Sequence, residues 1–299
     1  MRWLVCVHLR DEEAEHVLEE AIRWAGRAAA TLDLLFVDES TGAPMWVSDP
    51  LSAQMLAQQW TEMRSAEADR LELLRQRIPE GHRGHATRVE GRAADEILAA
   101  STHYDAVVLA GRKHSAVGRA LLGSVAAKVA RHATVPVWVL PGRDHQLPVR
   151  SGPTRAVFGV DLRASDQGTG LADAAKWTDR LQGALDLVHI DPSRMHVPFI
   201  EDSAIRQRFE TEWQQFRDRD IGAMHRLLAS IAPSVRGTPR IEEGEAADGI
   251  CAIAADYDVV LVATHGRTGL SRWMLGSVAE RVLATCGRPV LLLRANPAH

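Results

Sequence analysis

Three residues that suit a phosphate group lie close together near the end of the chain. Gly266 and Gly276 are separated by nine residues, and Ser277 follows where a helix is predicted to begin. A helix amino terminus presents free backbone N–H groups and the positive end of the helix dipole, so it binds anions. Glycine lets the backbone approach a ligand closely, and a serine hydroxyl is a further donor. This spacing indicates a phosphate-binding site.

A carboxylate stands at a second position where chemistry is expected. Asp161 directly follows the apolar run 156–160, which is typical of a strand. In doubly wound sheets, ligands bind beyond the carboxyl ends of the strands, where the strand order reverses. A carboxylate there can accept hydrogen bonds from the N–H groups of a base. Asp161 and the glycine-containing loop therefore indicate a nucleotide.

The elements that must position these residues occur twice. Gly276 minus Gly123 gives an offset of 153 residues, and the same offset pairs Tyr104 with Tyr257 without a gap. Such a match indicates duplication of a unit that is long enough to have its own core. In each copy, short apolar runs alternate with helix-like segments, which predicts βαβ units and a parallel sheet.

The sequence therefore predicts the α/β class with two tandem doubly wound domains. Each is expected to be a five-stranded parallel sheet flanked by helices. The predicted boundaries are 1–143 and 154–299, with a linker at 144–153 that contains proline and charged residues.

The segment 263–283, ATHGRTGLSRWMLGSVAERVL, carries a family resemblance together with VFGVD at 157–161. It resembles the universal stress protein family, whose nucleotide-binding members hold ATP with a G-x2-G-x9-G-S/T loop. The resemblance extends over the whole chain as a tandem form. It implies a Rossmann-like fold similar to the adenine nucleotide alpha hydrolases. The first glycine of the loop is Ala263 here, a departure expected to tighten the ribose site.

The resemblance also implies a ligand and its contacts. The ligand would be ATP or AMP, with Mg²⁺ as an optional companion of the phosphates. The implied contacts are Asp161 and Ile190 at the adenine, Ala263 and Gly266 at the ribose and phosphate, His265 near the phosphates, and Gly276, Ser277 and Val278 at the phosphate-binding helix start.

The first copy departs from this pattern. At the offset of 153, His8 stands for Asp161 and Lys113 for Gly266, although Gly123 and Ser124 remain. We expect an altered or vestigial site there, because a long side chain replaces a glycine and an imidazole replaces a carboxylate. Lys113 could instead neutralise a bound anion.

Composition narrows the function classes. A formal net charge of -4 gives no support for a nucleic-acid partner. No apolar run approaches the ~18 residues of a membrane span, and the amino terminus lacks the apolar region of a signal peptide. Three widely separated cysteines form neither a disulfide framework nor a metal-ligand set. These features predict a cytoplasmic protein without a membrane, metal or nucleic-acid partner.

Three functions stay open at this point. The resemblance implies a non-enzymatic stress protein, in which the nucleotide shifts a partner-binding equilibrium through its differential affinity for two states. The second hypothesis is a tandem scaffold for a non-nucleotide ligand or a protein partner. The third is an ATP-using transferase, which lacks support because no paired general acid and base lies near the loop. We expect no catalytic residues, and weak ATP hydrolysis at most.

The resemblance also implies how the two halves assemble. Family members dimerise through their fifth strands, so the halves could form an internal pseudo-dimer of 135–140 with 289–293, and a homodimer also stays open.

The long second helices carry several aromatic residues. We expect these residues either to pack on the sheet or to line a pocket or partner surface; they are Trp60, Phe209, Trp213 and Phe216.

Overall fold

The structure is a computed structural model that describes residues 1–9, 13–40, 49–113, 121–143, 152–163, 170–192, 202–264 and 275–294. The chain divides into two compact units. One comprises residues 1–111 and 123–143, and the other comprises residues 112–122 and 144–299.

The first copy of the repeat alternates strands and helices along the chain. Its elements are β1 (Arg2–Cys6), α1 (Glu13–Ala28), β2 (Thr31–Asp38), α2 (Pro50–Gln76), β3 (Arg83–Glu90), α3 (Ala93–Ser101), β4 (Ala106–Ala110), the short strands β5 (Arg112–Lys113) and β6 (Leu121–Leu122), α4 (Ser124–His132) and β7 (Val137–Leu140). The five main strands are parallel and lie in the order β3-β2-β1-β4-β7. Strands β5 and β6 pair with each other in antiparallel fashion.

The second copy repeats this arrangement. Its elements are β8 (Thr154–Gly159), α5 (Leu171–Arg180), β9 (Gly183–Asp191), α6 (Ser203–Ala229), β10 (Arg236–Glu243), α7 (Ala246–Ile253), β11 (Val259–Ala263), α8 (Ser277–Thr285) and β12 (Val290–Leu293). The strands are parallel and lie in the order β10-β9-β8-β11-β12. The predicted fold class of two tandem doubly wound parallel sheets is confirmed.

The central strands are apolar because helices cover both faces of each sheet. All four residues of β12 and the first four of β11 are buried. In the first unit, the core includes three indoles: the ring centroid of Trp138 lies 5.6 Å from that of Trp3 and 5.0 Å from that of Trp24. The sequence analysis did not predict this cluster.

The long helices start where aspartate side chains cap them. The carboxylate of Asp49 accepts from the Ser52 amide at the start of α2, where Pro50 occupies the first turn. The carboxylate of Asp202 accepts from the amides of Ala204 and Ile205 at the start of α6. These caps satisfy amides that have no partner inside the helix, and they fix where the two helices of 27 residues begin.

The duplication also holds at the level of side-chain contacts. The hydroxyl of Tyr104 donates to Asp33, and at the offset of 153 the hydroxyl of Tyr257 donates to Asp186, each at 3.0 Å. The ion pair of Lys128 with Asp95 recurs as Arg281 with Asp248 at 2.7 Å. The two copies of the repeat therefore share long-range polar contacts.

Candidate functional site

The reversal of strand order in the second unit lies between β8 and β11. Strand β9 pairs with β8 on one side, and β11 pairs with β8 on the other. The register matches Leu261 with Phe158 and Gly159 with Val188. The carboxyl ends of the three strands therefore bring Asp161, Ile190 and Ala263 to one edge of the sheet, where a doubly wound fold binds ligands.

The residues just after β8 form a turn that we call the β8 turn, residues 161–163. The backbone N–H of Arg163 donates to Oδ1 of Asp161 at 2.9 Å. Asp161 is half-buried. Aspartate commonly stabilises a turn by accepting from the amide two residues further on. The carboxylate is thus held in one orientation at the strand end.

The side chain of Arg163 contacts two other elements. Its Nη2 donates to Oδ1 of Asp191 at 2.5 Å, and Asp191, the last residue of β9, is 1% exposed. Its guanidinium carbon lies 5.6 Å from the ring centroid of Phe216 on α6. Phe216 in turn stacks on Trp213 with ring centroids 6.1 Å apart. One arginine therefore joins the β8 turn to β9 and to α6.

These contacts show where two of the aromatic residues of α6 lie. Trp213 is buried, and Phe216 is half-buried. Their rings pack beside the charged groups at the carboxyl end of β9, next to the predicted base site.

A buried histidine and an aspartate lie in the same region. His189 is 3% exposed, and its Nδ1 lies 3.0 Å from the carbonyl oxygen of Val160. Its Nε2 has no hydrogen-bond partner among the described residues. Burial raises the pKa of Asp220 on α6, and the charge of Asp191 raises it further, while His189 and Arg163 oppose the shift.

The phosphate end of the predicted site is built on two backbone hydrogen bonds. The amide of Thr264 donates to the carbonyl of Leu293, and the amide of Gly276 donates to the carbonyl of Thr264, each at 3.0 Å. Gly276 is the N-cap of α8, and no side chain in the described part of the chain caps that helix end. Ser277 is exposed, and Val278 is 39% exposed. As far as the described residues extend, the first amides of α8 are therefore open at the end of β11.

The described part of the fold does not itself require glycine at position 276. Its φ of -63° is ordinary for any residue, and among the described residues an added Cβ would meet only the Thr264 carbonyl, at 3.5 Å. Gly170, which precedes α5, differs. Its φ is +84°, and an added Cβ would lie 3.0 Å from Cβ of Ala263. The sequence analysis missed Gly170, although two glycines within three residues are a recognisable sign of a special turn.

Ile190 occupies the expected strand end but faces a helix. A Cβ on Gly249 of α7 would lie 2.8 Å from Cδ1 of Ile190, so the isoleucine side chain packs closely against that helix. His265 and Gly266 lie outside the described residues. Their implied roles at the ribose and phosphates stay predictions.

The corresponding positions of the first copy of the repeat have different chemistry. His8 is exposed after β1. The backbone of Lys113 forms part of the antiparallel pair of β5 and β6, opposite Leu121. Gly123 still caps α4, with a φ of -57°. The helix start is thus shared by both copies, and the groups predicted to bind the base and the phosphates are not.

Comparison with known proteins decides the family. The model of the universal stress protein family matches residues 1–141 and again 153–294. The chain belongs to the universal stress protein family. The tandem resemblance inferred from the sequence is therefore confirmed.

Relatives of this universal stress protein come mainly from mycobacteria. It is 28% identical over 297 residues to a universal stress protein of Mycolicibacterium smegmatis, with 95% of each chain covered. It is 30% identical over 203 residues to a universal stress protein of Mycobacterium tuberculosis. This match covers 63% of this chain and 58% of that protein.

Among solved structures, a universal stress protein from Archaeoglobus fulgidus has a TM-score of 0.60 and 20% identity, covering 99% of this chain and 98% of its own. A protein of unknown function from Pseudomonas aeruginosa has a TM-score of 0.60 and 18% identity, covering 98% and 92%. These similarities show a shared fold.

Two features of the described residues bear on other classes of function. None of the helices in that part of the universal stress protein is both long and apolar enough to span a membrane. No cluster of three or more His, Cys, Asp and Glu side chains suited to a metal ion occurs there.

Proposed function

We propose that the second unit of this universal stress protein binds an adenine nucleotide, ATP or AMP, and that the protein acts as a non-enzymatic regulator in the cytoplasm. The observation that carries this proposal is the position of Asp161 and of the α8 amino terminus on the two sides of the strand-order reversal. The half-buried carboxylate follows β8, and the amide of Gly276 is held at the end of the neighbouring β11.

The base end supports adenine. Adenine presents an N6 amine donor where guanine presents an O6 acceptor. The carboxylate of Asp161, oriented by the Arg163 amide at 2.9 Å, would accept from the amine and repel the guanine oxygen. The implied adenine contact of Ile190 stays a prediction, because its side chain packs against α7.

The phosphate end supports a di- or triphosphate as well as a monophosphate. No close contact with the described residues requires glycine at position 276, so a glycine there suits close approach of a ligand to the backbone. The open amides of α8 and the hydroxyl of Ser277 would donate to the phosphates. Gly266, His265 and Ala263 would complete the contacts, and Mg²⁺ would accompany the phosphates of ATP.

The proposal of a non-enzyme rests on the chemistry of the described groups. Phosphoryl transfer needs a positioned base and several charges that stabilise the transition state. Near α8 the described site offers backbone amides, a serine hydroxyl and no pair of carboxylates. We therefore propose slow ATP hydrolysis at most, and a role through a nucleotide-dependent protein partner.

A second candidate applies to the first copy of the repeat. The strand pairing of Lys113 and the exposed His8 favour a non-nucleotide ligand or a structural role for that copy. The pairing of fifth strands as an internal pseudo-dimer, and the association of two chains, stay predictions.

Calorimetric titration with ATP, AMP and GTP tests the proposal, together with mass spectrometry of any ligand released from freshly purified protein. We expect binding of ATP or AMP, and weaker binding of GTP. At a ligand concentration of 100 times Kd, ATP should stabilise the second unit by about 2.7 kcal/mol. This should raise its melting temperature by roughly 2–4 °C per kcal/mol.

Asp161→Ala provides the matched variant. It should weaken ATP binding and reduce the preference for ATP over GTP, because it removes a base contact and leaves the phosphate contacts. Absence of binding and of any thermal shift at millimolar ATP and AMP would refute the proposed function.

A further inference from the structure

Arg163 makes three contacts that converge on the base end of the site. Its amide holds Asp161 at 2.9 Å, its guanidinium holds Asp191 at 2.5 Å, and it lies over Phe216 of α6. The backbone of Arg163 binds the Asp161 carboxylate, and its side chain contacts two rigid elements. The orientation of that carboxylate is therefore restricted. Such restriction before binding lowers the entropic cost of binding.

The equivalent buried aspartate of the first copy has a cation from a different element. Asp38, the equivalent of Asp191, is paired with Arg88, which belongs to the adjacent strand β3. Arg88 also contacts Glu67 at 3.3 Å and Glu90 at 3.1 Å. Arg10, the equivalent of Arg163, lies outside the described residues.

In the second unit the position equivalent to Arg88 is Ile241. A cation beside the buried carboxylate comes from the β8 turn, two residues after Asp161. The ion pair is largely removed from solvent on the Asp191 side, where loss of a charged partner is costly. The position of the β8 turn is therefore coupled to β9 and α6 in this unit.

We propose that Arg163 is a positioning residue that sets base specificity, by fixing the Asp161 carboxylate against Asp191 and the Phe216 ring of α6. This inference rests on the proposed nucleotide binding. In this proposal Arg163 acts through Asp161 and makes no contact of its own with the ligand. Helix α6 is then the element that responds when the nucleotide binds.

Three variants test the role of Arg163. Arg163→Ala removes both side-chain contacts. Arg163→Lys keeps a cation for Asp191 but loses the planar group over Phe216. Arg217→Ala is the matched control, because Arg217 lies on the same helix as Phe216 but pairs with Glu243 of β10, at 3.8 Å.

The measurements are calorimetric affinities for ATP and GTP, with melting curves to verify folding. Arg163→Ala should weaken ATP binding about tenfold or more, as is typical when the support of a ligand-binding side chain is removed. Its ratio of ATP to GTP affinity should fall towards one. Arg163→Lys should restore most of the ratio, and Arg217→Ala should leave affinity and ratio unchanged.

Deuterium exchange with and without ATP tests the link to α6. In the wild type and in Arg217→Ala, ATP should slow exchange in α6 around Trp213 and Phe216, and in Arg163→Ala it should not. If the wild type binds no nucleotide, the proposed function itself falls. If the wild type binds ATP but folded Arg163→Ala and Arg163→Lys keep its affinity ratio, only the role of Arg163 is overturned.

Discussion

The hydroxyl of Tyr104 donates a hydrogen bond of 3.0 Å to the carboxylate of Asp33, which is 3% exposed. Asp33 also accepts from the amide of His85 at 2.8 Å and from the guanidinium of Arg2. The contact joins β2 to the residues that precede β4, across 71 residues of chain. It is repeated in the second unit by Tyr257 and Asp186.

Removing either phenol should destabilise its unit. Tyr104→Phe and Tyr257→Phe should each lower the free energy of unfolding by about 1.5–3 kcal/mol, because each removes a hydrogen bond to a carboxylate. Urea denaturation measures the change. As a control, Gln58→Ala removes an exposed contact with Glu62 and should change stability by less than about 0.5 kcal/mol. An equal effect of all three variants would contradict the prediction.

The same network predicts how stability depends on pH. Burial alone would raise the pKa of Asp33, but hydrogen bonds from His85, Arg2 and Tyr104 outweigh it and hold the pKa below its usual value. Because the folded pKa is lowered, this contribution to stability is present above about pH 4 and is lost as the pH falls through the folded pKa.

The alkaline side has the opposite sign. Burial, together with Asp33, raises the pKa of Tyr104 to about 12, and burial with Asp186 raises that of Tyr257 to about 12. The contribution of the neutral phenols to stability is therefore fully present below about pH 10 and is lost as the pH rises towards 12. Denaturation midpoints should fall over that range, and the fall should be smaller in the double variant Tyr104→Phe/Tyr257→Phe. A double variant with the wild-type alkaline profile would show that other groups control it.

Substitutions at two equivalent glycines distinguish an effect on ligand binding from an effect on helix capping. Gly276→Val should abolish ATP binding, since the branched side chain would occupy the place of a phosphate at the start of α8. Gly123→Val should leave binding intact, because it lies in the first unit. Each substitution should cost its helix about 0.5–1 kcal/mol as a poorer cap. Calorimetry on both variants gives the comparison, and equal ATP affinity in the two would place the phosphates elsewhere.

The two units should differ in stoichiometry. We expect one nucleotide per chain, bound in the second unit. His8→Asp with Lys113→Gly should create part of a second site, because the double change supplies a base acceptor and opens the backbone near Gly123. Calorimetric stoichiometry tests this, with each single change as a control. Two sites in the wild type would mean that His8 and Lys113 tolerate the ligand.

Gly170 should be required for its backbone conformation. Gly170→Ala should lower stability by about 1 kcal/mol or more, because alanine is strained at a positive φ and its Cβ would approach Ala263 to 3.0 Å. Gly222→Ala is the control: it lies inside α6, where alanine should stabilise the protein by about 0.4–1 kcal/mol. Thermal melts should shift in opposite directions, and a shift of the same sign would contradict this account of Gly170.

The sequence by itself determined the duplication, the α/β class and the strand ends. The offset of 153 residues pairs Tyr104 with Tyr257, and the apolar runs that end near Val160 and Ala263 identify buried parallel strands. These features are local or periodic, so they can be recognised without knowing which elements touch. The assignment of site residues such as Gly266 and Gly276 stays a prediction from this pattern and from the family.

Only the tertiary structure decided how distant residues meet. Nothing in the spacing predicts that Arg163 pairs with Asp191 in the second unit, while Arg88 of a different strand pairs with Asp38 in the first. The packing of Ile190 on Gly249 of α7 was equally hidden. Which side chains meet depends on sheet register and on the face that each helix covers, and these are set by the packing of whole elements against one another.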